Sequence, residues 1–280
     1  MKVMSFKAGG ATSFGVVVGD GVVDAAKRTG LPSLRAVLEA GRLGELQALS
    51  SEKPDHALGE VEFLPVLPDP GHIWCVGLNY KLHVAETGRD TPTHPWVFTR
   101  SPRSQVGHGQ AMIRPAESVR YDFEGELAVI IGKAGRRISR DAALSHVAGY
   151  ACYNEGSVRD WQMHSNQYTP GKNWEKSGAF GPWMVTSDDI PDPTALTLQT
   201  RLNGQVMQDT PVSDLLFDIP HLIGYLSTFT TLQPGDVIVT GTPGGVGNAR
   251  KPPVYMKGGD IIEVEISQIG VLKNPIQDEA

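Results

Sequence analysis

Short β-branched runs, each closed within a few residues by glycine, proline or asparagine, recur along the whole chain and restrict it to a fold built from sheet. In residues 14–25, FGVVVGDGVVDA, Gly19-Asp20-Gly21 separates two valine runs and predicts a β-hairpin. A second hairpin is predicted at Asn203-Gly204, after a strand over 196–202. Further strands are expected at 73–77, 126–131, 237–240 and 261–266. The chain has 32 glycines and 20 prolines among 280 residues, which supply the many turns that such a fold needs. Helical spacing is confined to 31–49, interrupted by Gly41, to a segment beginning around Asn79, to 139–146 with Ser139 as N-cap, and to 219–229. A helical bundle is excluded, and the expected class is α+β, rich in strand.

Residues 64–70 carry Pro65, Pro68 and Pro70, which remove backbone donors and hold the chain extended. They predict a boundary near residue 70, with a small N-terminal domain over 1–70 and a catalytic domain over 71–280. No internal repeat, low-complexity tract or run of like charge occurs, against a solenoid or a disordered scaffold. Twenty-five basic against 31 acidic side chains give a net charge of −6, which offers no general grip on phosphates and excludes nucleic acid as the expected partner. Only Cys75 and Cys152 are present, far apart and outside any CxxC pair, which suggests a reducing compartment. With no leader-like N-terminus and no apolar stretch of membrane-spanning length, the sequence reads as a soluble, cytoplasmic enzyme without a membrane partner.

The densest acidic signal is Tyr121-Asp122-Phe123-Glu124-Gly125-Glu126. On an extended backbone Glu124 and Glu126 project from one face, and either a hard divalent cation draws them together or both are solvated at a strand entrance. Glu155 ends an apolar run, where it is either a third acid for the same cation or the start of a helix capped by Asn154. His83 and Glu86 are spaced to share a helix face, so the carboxylate could orient the imidazole as a base, or the two form an ordinary surface pair. Lys172 and Lys176 flank Trp174, as contacts to an anion or as solvated cations. The segment VTGTPGGVG, 239–247, offers exposed amides and a threonine hydroxyl that could hold a carboxylate, but it lacks the patterns of a nucleotide loop.

Taken in order, VGLNYKLHVAETG, YDFEGELAVIIGK, GYACYNEGSVRDWQ and VTGTPGGVG resemble the fumarylacetoacetate hydrolase family over residues 73–271. The resemblance implies a catalytic domain built as a mixed β-roll, a small domain before it and a homodimer. It implies Mg²⁺ or Mn²⁺ on Glu124, Glu126 and Glu155, with glutamate at 155 where relatives carry aspartate. It also implies His83, Glu86 and Lys176 as catalytic residues, and Arg159, Gln162 and Thr242 as contacts to a small 2-oxo acid. Counted from Lys176, the loop that reaches Gly181-Pro182 is shorter than the family pattern. The expected activity is metal-dependent hydrolysis of a carbon–carbon bond in an acylpyruvate-type 1,3-diketo acid, as arises in breaking down aromatic or sugar-derived acids. The alternative is a decarboxylase, isomerase (a tautomerase) or dehydratase working on a related 2-oxo acid through the same enolate. A non-catalytic metabolite-binding protein would not need His83 and Glu86 together.

Overall fold

A computed structural model describes all 280 residues. Its larger sheet has the strand order His56–Ala57, Gly21–Asp24, Ala11–Val18, Lys2–Ala8, Gly178–Thr186, Val147–Asn154, Gly125–Ile131, Val237–Val239, Ile73–Gly77 and Trp96–Arg100. Pairing along this path is antiparallel except between Val237–Val239 and Ile73–Gly77. A second sheet runs Gln205–Pro211, Thr197–Leu202, Ile261–Ile266, Gly270–Asp278 and Met112–Arg114.

Gly125–Ile131 is buried along its whole length, and its period of two divides the core. Leu127, Val129 and Ile131 face one cluster with Leu198, Val264 and Leu272 of the second sheet. Ala128 and Ile130 face another with Val3, Phe14, Val16 and Leu34. Residues 1–70 supply part of that second cluster. The proline-rich passage is there, but Lys2–Ala8 pairs with Gly178–Thr186 through Lys2↔Val185 and Val3↔Met184, so residues 1–70 extend the larger sheet and share its core.

Both hairpins form where the turn chemistry put them, with Val18 paired to Gly21 and Leu202 to Gln205. At the second, Asn203 and Gly204 both have positive φ, as a two-residue turn matched to strand twist requires. Ile219–Phe229 is an α-helix capped by Asp218. The helical pattern over 31–49 divides at Gly41 into the α-helix Leu34–Glu39 and a 3₁₀ segment, Leu43–Ser51. Arg140–His146 is 3₁₀ rather than α, and the Ser139 side chain makes no capping bond. No helix is long and apolar enough to cross a membrane.

Candidate active site

The site lies where Gly125–Ile131, Val147–Asn154 and the loop after Val237–Val239 end side by side, around a cavity of about 560 Å³. Glu124, Glu126, Glu155, His83, Glu86, Arg159, Gln162, Lys172 and Thr242 all line it. Glu126 lies in Gly125–Ile131 and Glu124 immediately precedes that strand, and both reach the cavity as the alternation predicts. Glu155 follows Val147–Asn154 directly, in the turn before Ser157–Val158, and no helix starts at it. Asn154 is accordingly no helix cap: its Oδ1 accepts the Glu124 N–H at 3.1 Å, and the Glu155 N–H donates to Glu124 O at 2.8 Å. One carboxylate oxygen from each of the three glutamates lies within 4.8 Å of the others.

Two buried cations partly compensate this cluster. Lys172 Nζ reaches Glu124 Oε2 at 2.6 Å and Glu155 Oε2 at 2.8 Å, and lies 5.3 Å from the centre of the Phe98 ring. Arg159 donates from Nε to Asp122 Oδ2 at 2.8 Å, while its Nη1 lies 2.6 Å from Glu124 Oε1 and donates to Gln162 Oε1 at 3.0 Å. Burial alone would push Glu124 upward, but Lys172 and Arg159 overcome it and hold this carboxyl well below the usual range. Glu126 goes the other way. Burial, then the charges of Glu155 and Glu124, push it well above the usual range against weaker opposition from Lys172 and the Gly241 N–H.

The dyad forms as the spacing predicts. His83 and Glu86 lie on the helix Lys81–Thr87, with His83 Nδ1 2.7 Å from Glu86 Oε1. That contact assigns Nδ1 as the protonated nitrogen and leaves Nε2 for a ligand. The helix begins two residues later than expected because Leu78 has φ 56° and buried Asn79 is tied to Thr240 O and Phe217.

The glycine-rich loop serves a different end from the one its exposed amides suggested. Gly241 N–H donates to Glu126 Oε2 at 2.5 Å, Gly245 N–H to Glu86 Oε2 at 2.7 Å, and the Gly247 and Asn248 N–H groups to Asp122 at 2.8 and 2.9 Å. Its amides hold the protein's own carboxylates. Gly241 has φ 106°, and a Cβ there would press on Asn79 and Val76 O.

Lys176 is corrected. It is exposed, with φ 55°, and its backbone pairs with Arg103 O and the Ile113 N–H, away from the cavity. The lysine that lines the cavity is Lys172, four positions earlier. Gly171 beside it packs against Gln162, where a Cβ would collide. Sequence reasoning also gave no role to Asp122, which links Arg159 to the glycine loop, or to Gln208, which spans Gly125 and Thr242.

The donor set fits a hard divalent ion. Asp122, Glu124, Glu126 and Glu155 outnumber Lys172, Arg159 and the buried Arg100 behind them. Glu155 Oε1 is buried with no hydrogen-bond partner, a condition that is costly unless something electropositive meets it. Clustered carboxylate oxygens suit Mg²⁺ or Mn²⁺ rather than a soft metal.

The model for the fumarylacetoacetate (FAA) hydrolase C-terminal region matches residues 72–277. The chain is 41% identical over 232 residues to a mitochondrial oxaloacetate tautomerase of Bos taurus, FAHD2A, covering 82% of this chain and 74% of that protein. It is 42% identical over 226 residues to oxaloacetate tautomerase YisK of Bacillus subtilis (strain 168), covering 79% and 75%. Among solved structures, a fumarylacetoacetate hydrolase from Exiguobacterium antarcticum superposes with a TM-score of 0.86 at 34% identity over all of both chains. The maleylpyruvate hydrolase of Sphingobium sp. SYK-6, in complex with manganese(II) and pyruvate, superposes with a TM-score of 0.83 at 28% identity, again over all of both. This chain belongs to the fumarylacetoacetate hydrolase family.

Proposed function

We propose that the protein interconverts the keto and enol forms of oxaloacetate or a closely similar 2-oxo dicarboxylic acid, with Mg²⁺ or Mn²⁺ held by Glu124, Glu126 and Glu155. The observation that carries this is the meeting of the acidic triad and the His83–Glu86 dyad in one cavity. The two tautomerase relatives, each above 40% identity, favour isomerisation over the carbon–carbon hydrolysis expected from the motifs.

A divalent ion held by the triad would supply positive charge to offset the electron density that develops as the enol forms. His83 Nε2 takes the carbon-3 proton of the keto form and delivers it to the carbon-2 oxygen, which gives the enol, and the reverse transfer from oxygen to carbon 3 regenerates the keto form. Glu86 fixes the orientation of the imidazole through Nδ1 and is itself held by the Gly245 N–H. Gln162 accepts from Arg159 through Oε1, which turns its amide donors outward for a substrate carboxylate, and Lys172 adds positive charge. Val76 and Phe98 in the cavity wall limit water.

Hydrolysis of an acylpyruvate remains the second reading, supported by the maleylpyruvate hydrolase neighbour with manganese and pyruvate. Chelator-treated protein is to be reloaded with Mg²⁺ or Mn²⁺ and given oxaloacetate enol, then separately an acylpyruvate. Accelerated loss of enol absorbance without a change in mass supports tautomerisation, and cleavage products support hydrolysis. Enol decay at the uncatalysed rate sinks the first reading. The homodimer implied by the family resemblance belongs to this proposal, and light scattering on the purified protein tests it.

A further inference from the structure

Gln208 lies on Gln205–Pro211 in the second sheet, 2% exposed, and its amide closes a ring of hydrogen bonds with Gly125 and Thr242. Backbone groups fix the direction of every hydrogen in that ring. The Gly125 N–H can only donate, so the atom that receives it at 3.0 Å is Gln208 Oε1. Pro243 O can only accept, so the atom facing it at 2.9 Å is Gln208 Nε2. The same Nε2 gives its other hydrogen to Thr242 Oγ1 at 2.8 Å. Gly125 O can only accept, so the single Thr242 hydroxyl hydrogen goes to it at 3.1 Å.

Thr242 therefore has no hydrogen left for the cavity it lines, only an unused lone pair. The sequence reading gave this hydroxyl to the carboxylate end of the substrate. A carboxylate oxygen is itself an acceptor, and two acceptors facing each other in a buried site repel. A ligand hydroxyl suits the lone pair. Of the two forms of a 2-oxo acid, only the enol carries a hydroxyl hydrogen at carbon 2, whereas the keto form presents an acceptor there.

We infer that Gln208 is a positioning residue that makes Thr242 a fixed hydrogen-bond acceptor facing the cavity, so that the site takes the enol hydroxyl at this point and leaves the carboxylates to Arg159, Gln162 and Lys172. The inference rests on the tautomerase reading and deepens it. It gives the second sheet, which contributes no triad or dyad residue, a part in recognising one tautomer. Gln208 acts through Thr242 and touches no ligand itself.

The test is calorimetric, on Mn²⁺-loaded protein, with two probes. Malate carries a hydroxyl at carbon 2, and oxalate has only acceptors. Thr242→Val is expected to weaken malate about five- to tenfold, the share of one hydrogen bond, and oxalate less than about twofold. Gln208→Met removes the donor that holds one Thr242 lone pair, so the hydroxyl is no longer confined to donating to Gly125 O and can rotate its hydrogen into the cavity, and it is expected to shift the malate-to-oxalate ratio in the same direction. In the Thr242→Val background it should no longer shift that ratio, which a general loosening of the sheet would still do. If Gln208→Met does not fold because the Gly125 N–H is left without an acceptor, Thr242→Val alone decides, since it leaves the Gly125–Gln208 bond in place and removes only the hydroxyl. Equal losses of malate and oxalate in Thr242→Val, additive effects in the cycle, or no malate uptake by the wild type would each overturn the inference. Wild-type protein that separates the two probes but leaves oxaloacetate enol untouched would instead sink the tautomerase reading.

Discussion

Lys172 Nζ lies 2.8 Å from Glu155 Oε2, while Oε1 of the same carboxylate is buried without a hydrogen-bond partner. One half of Glu155 is thus neutralised by the protein and the other half is left for something else. The extra methylene of glutamate at this position, relative to the aspartate of the family pattern, does not take the carboxylate away from its two partners, since Glu155 still closes the triad with Glu124 and Glu126.

This pairing separates the two lysines. Lys172→Met should leave Glu124 and Glu155 buried against each other and cost about 3 kcal/mol of stability without metal, part of it recovered by adding Mn²⁺. Lys176→Met, at an exposed position outside the cavity, should change stability by less than about 0.5 kcal/mol and leave turnover intact. Urea denaturation with and without Mn²⁺, beside the enol assay, checks both. Equal effects of the two substitutions would return Lys176 to the site.

The dyad and the triad should fail separately. His83→Ala is expected to lower kcat by about 10²- to 10⁴-fold, the usual share of a positioned base, and to change Mn²⁺ affinity by less than about threefold. Glu126→Gln should do the reverse first, losing Mn²⁺ uptake in a calorimetric titration. Parallel loss of metal and turnover in His83→Ala would refute this division of labour.

What the sequence carried and what it did not differ in range. The Gly19-Asp20-Gly21 and Asn203-Gly204 hairpins were readable because a turn is set by the residues within it. The His83–Glu86 contact was readable because three residues on a helix fix the geometry. The seam between Lys2–Ala8 and Gly178–Thr186 was not, since a strand's own residues carry no mark of which distant strand they will join. Asp122 and Gln208 escaped because their partners are far away in the chain, Asp122 meeting Gly247 and Gln208 meeting Gly125. Lysines 172 and 176 were told apart only by backbone direction: the first ends a helical turn packed on Gln162, the second turns outward with positive φ.

The metal-free protein should lose stability as pH rises. Folded Glu126 binds its proton more tightly than the unfolded chain does, so from about pH 4.5 upward the unfolded state releases that proton first and gains on the folded state until Glu126 itself ionises. Glu124, held low, works in the opposite sense at lower pH, where its contribution is lost on acidification. Comparing wild type with Glu126→Gln isolates the first effect, because glutamine keeps an acceptor for the Gly241 N–H and cannot ionise. In chelator-treated protein the variant should become progressively the more stable of the two between about pH 4.5 and 8, and Mn²⁺ should reverse the order. Parallel stability curves across that range would mean that Glu126 is ionised without metal.

Gly156 gives the sharpest test of how Glu155 is held. A Cβ at this position would fall on Ser177 O, the oxygen that accepts the Tyr121 hydroxyl at 2.6 Å, while Gly156 O accepts from Arg100 Nη1 at 3.0 Å. All three groups are buried, so the turn has nowhere to move except away from Ser177, and Glu155 would move with it. Gly156→Ala should therefore weaken Mn²⁺ binding by at least about tenfold and cost about 1–3 kcal/mol of stability, the usual penalty for overpacking. The His83–Glu86 pair lies on a separate helix that the change does not touch, so the pH dependence of whatever turnover remains at saturating Mn²⁺ should match the wild type. Unchanged Mn²⁺ affinity in a folded Gly156→Ala protein would show that Glu155 is not among the ligands, leaving Glu124 and Glu126 to hold the ion with water.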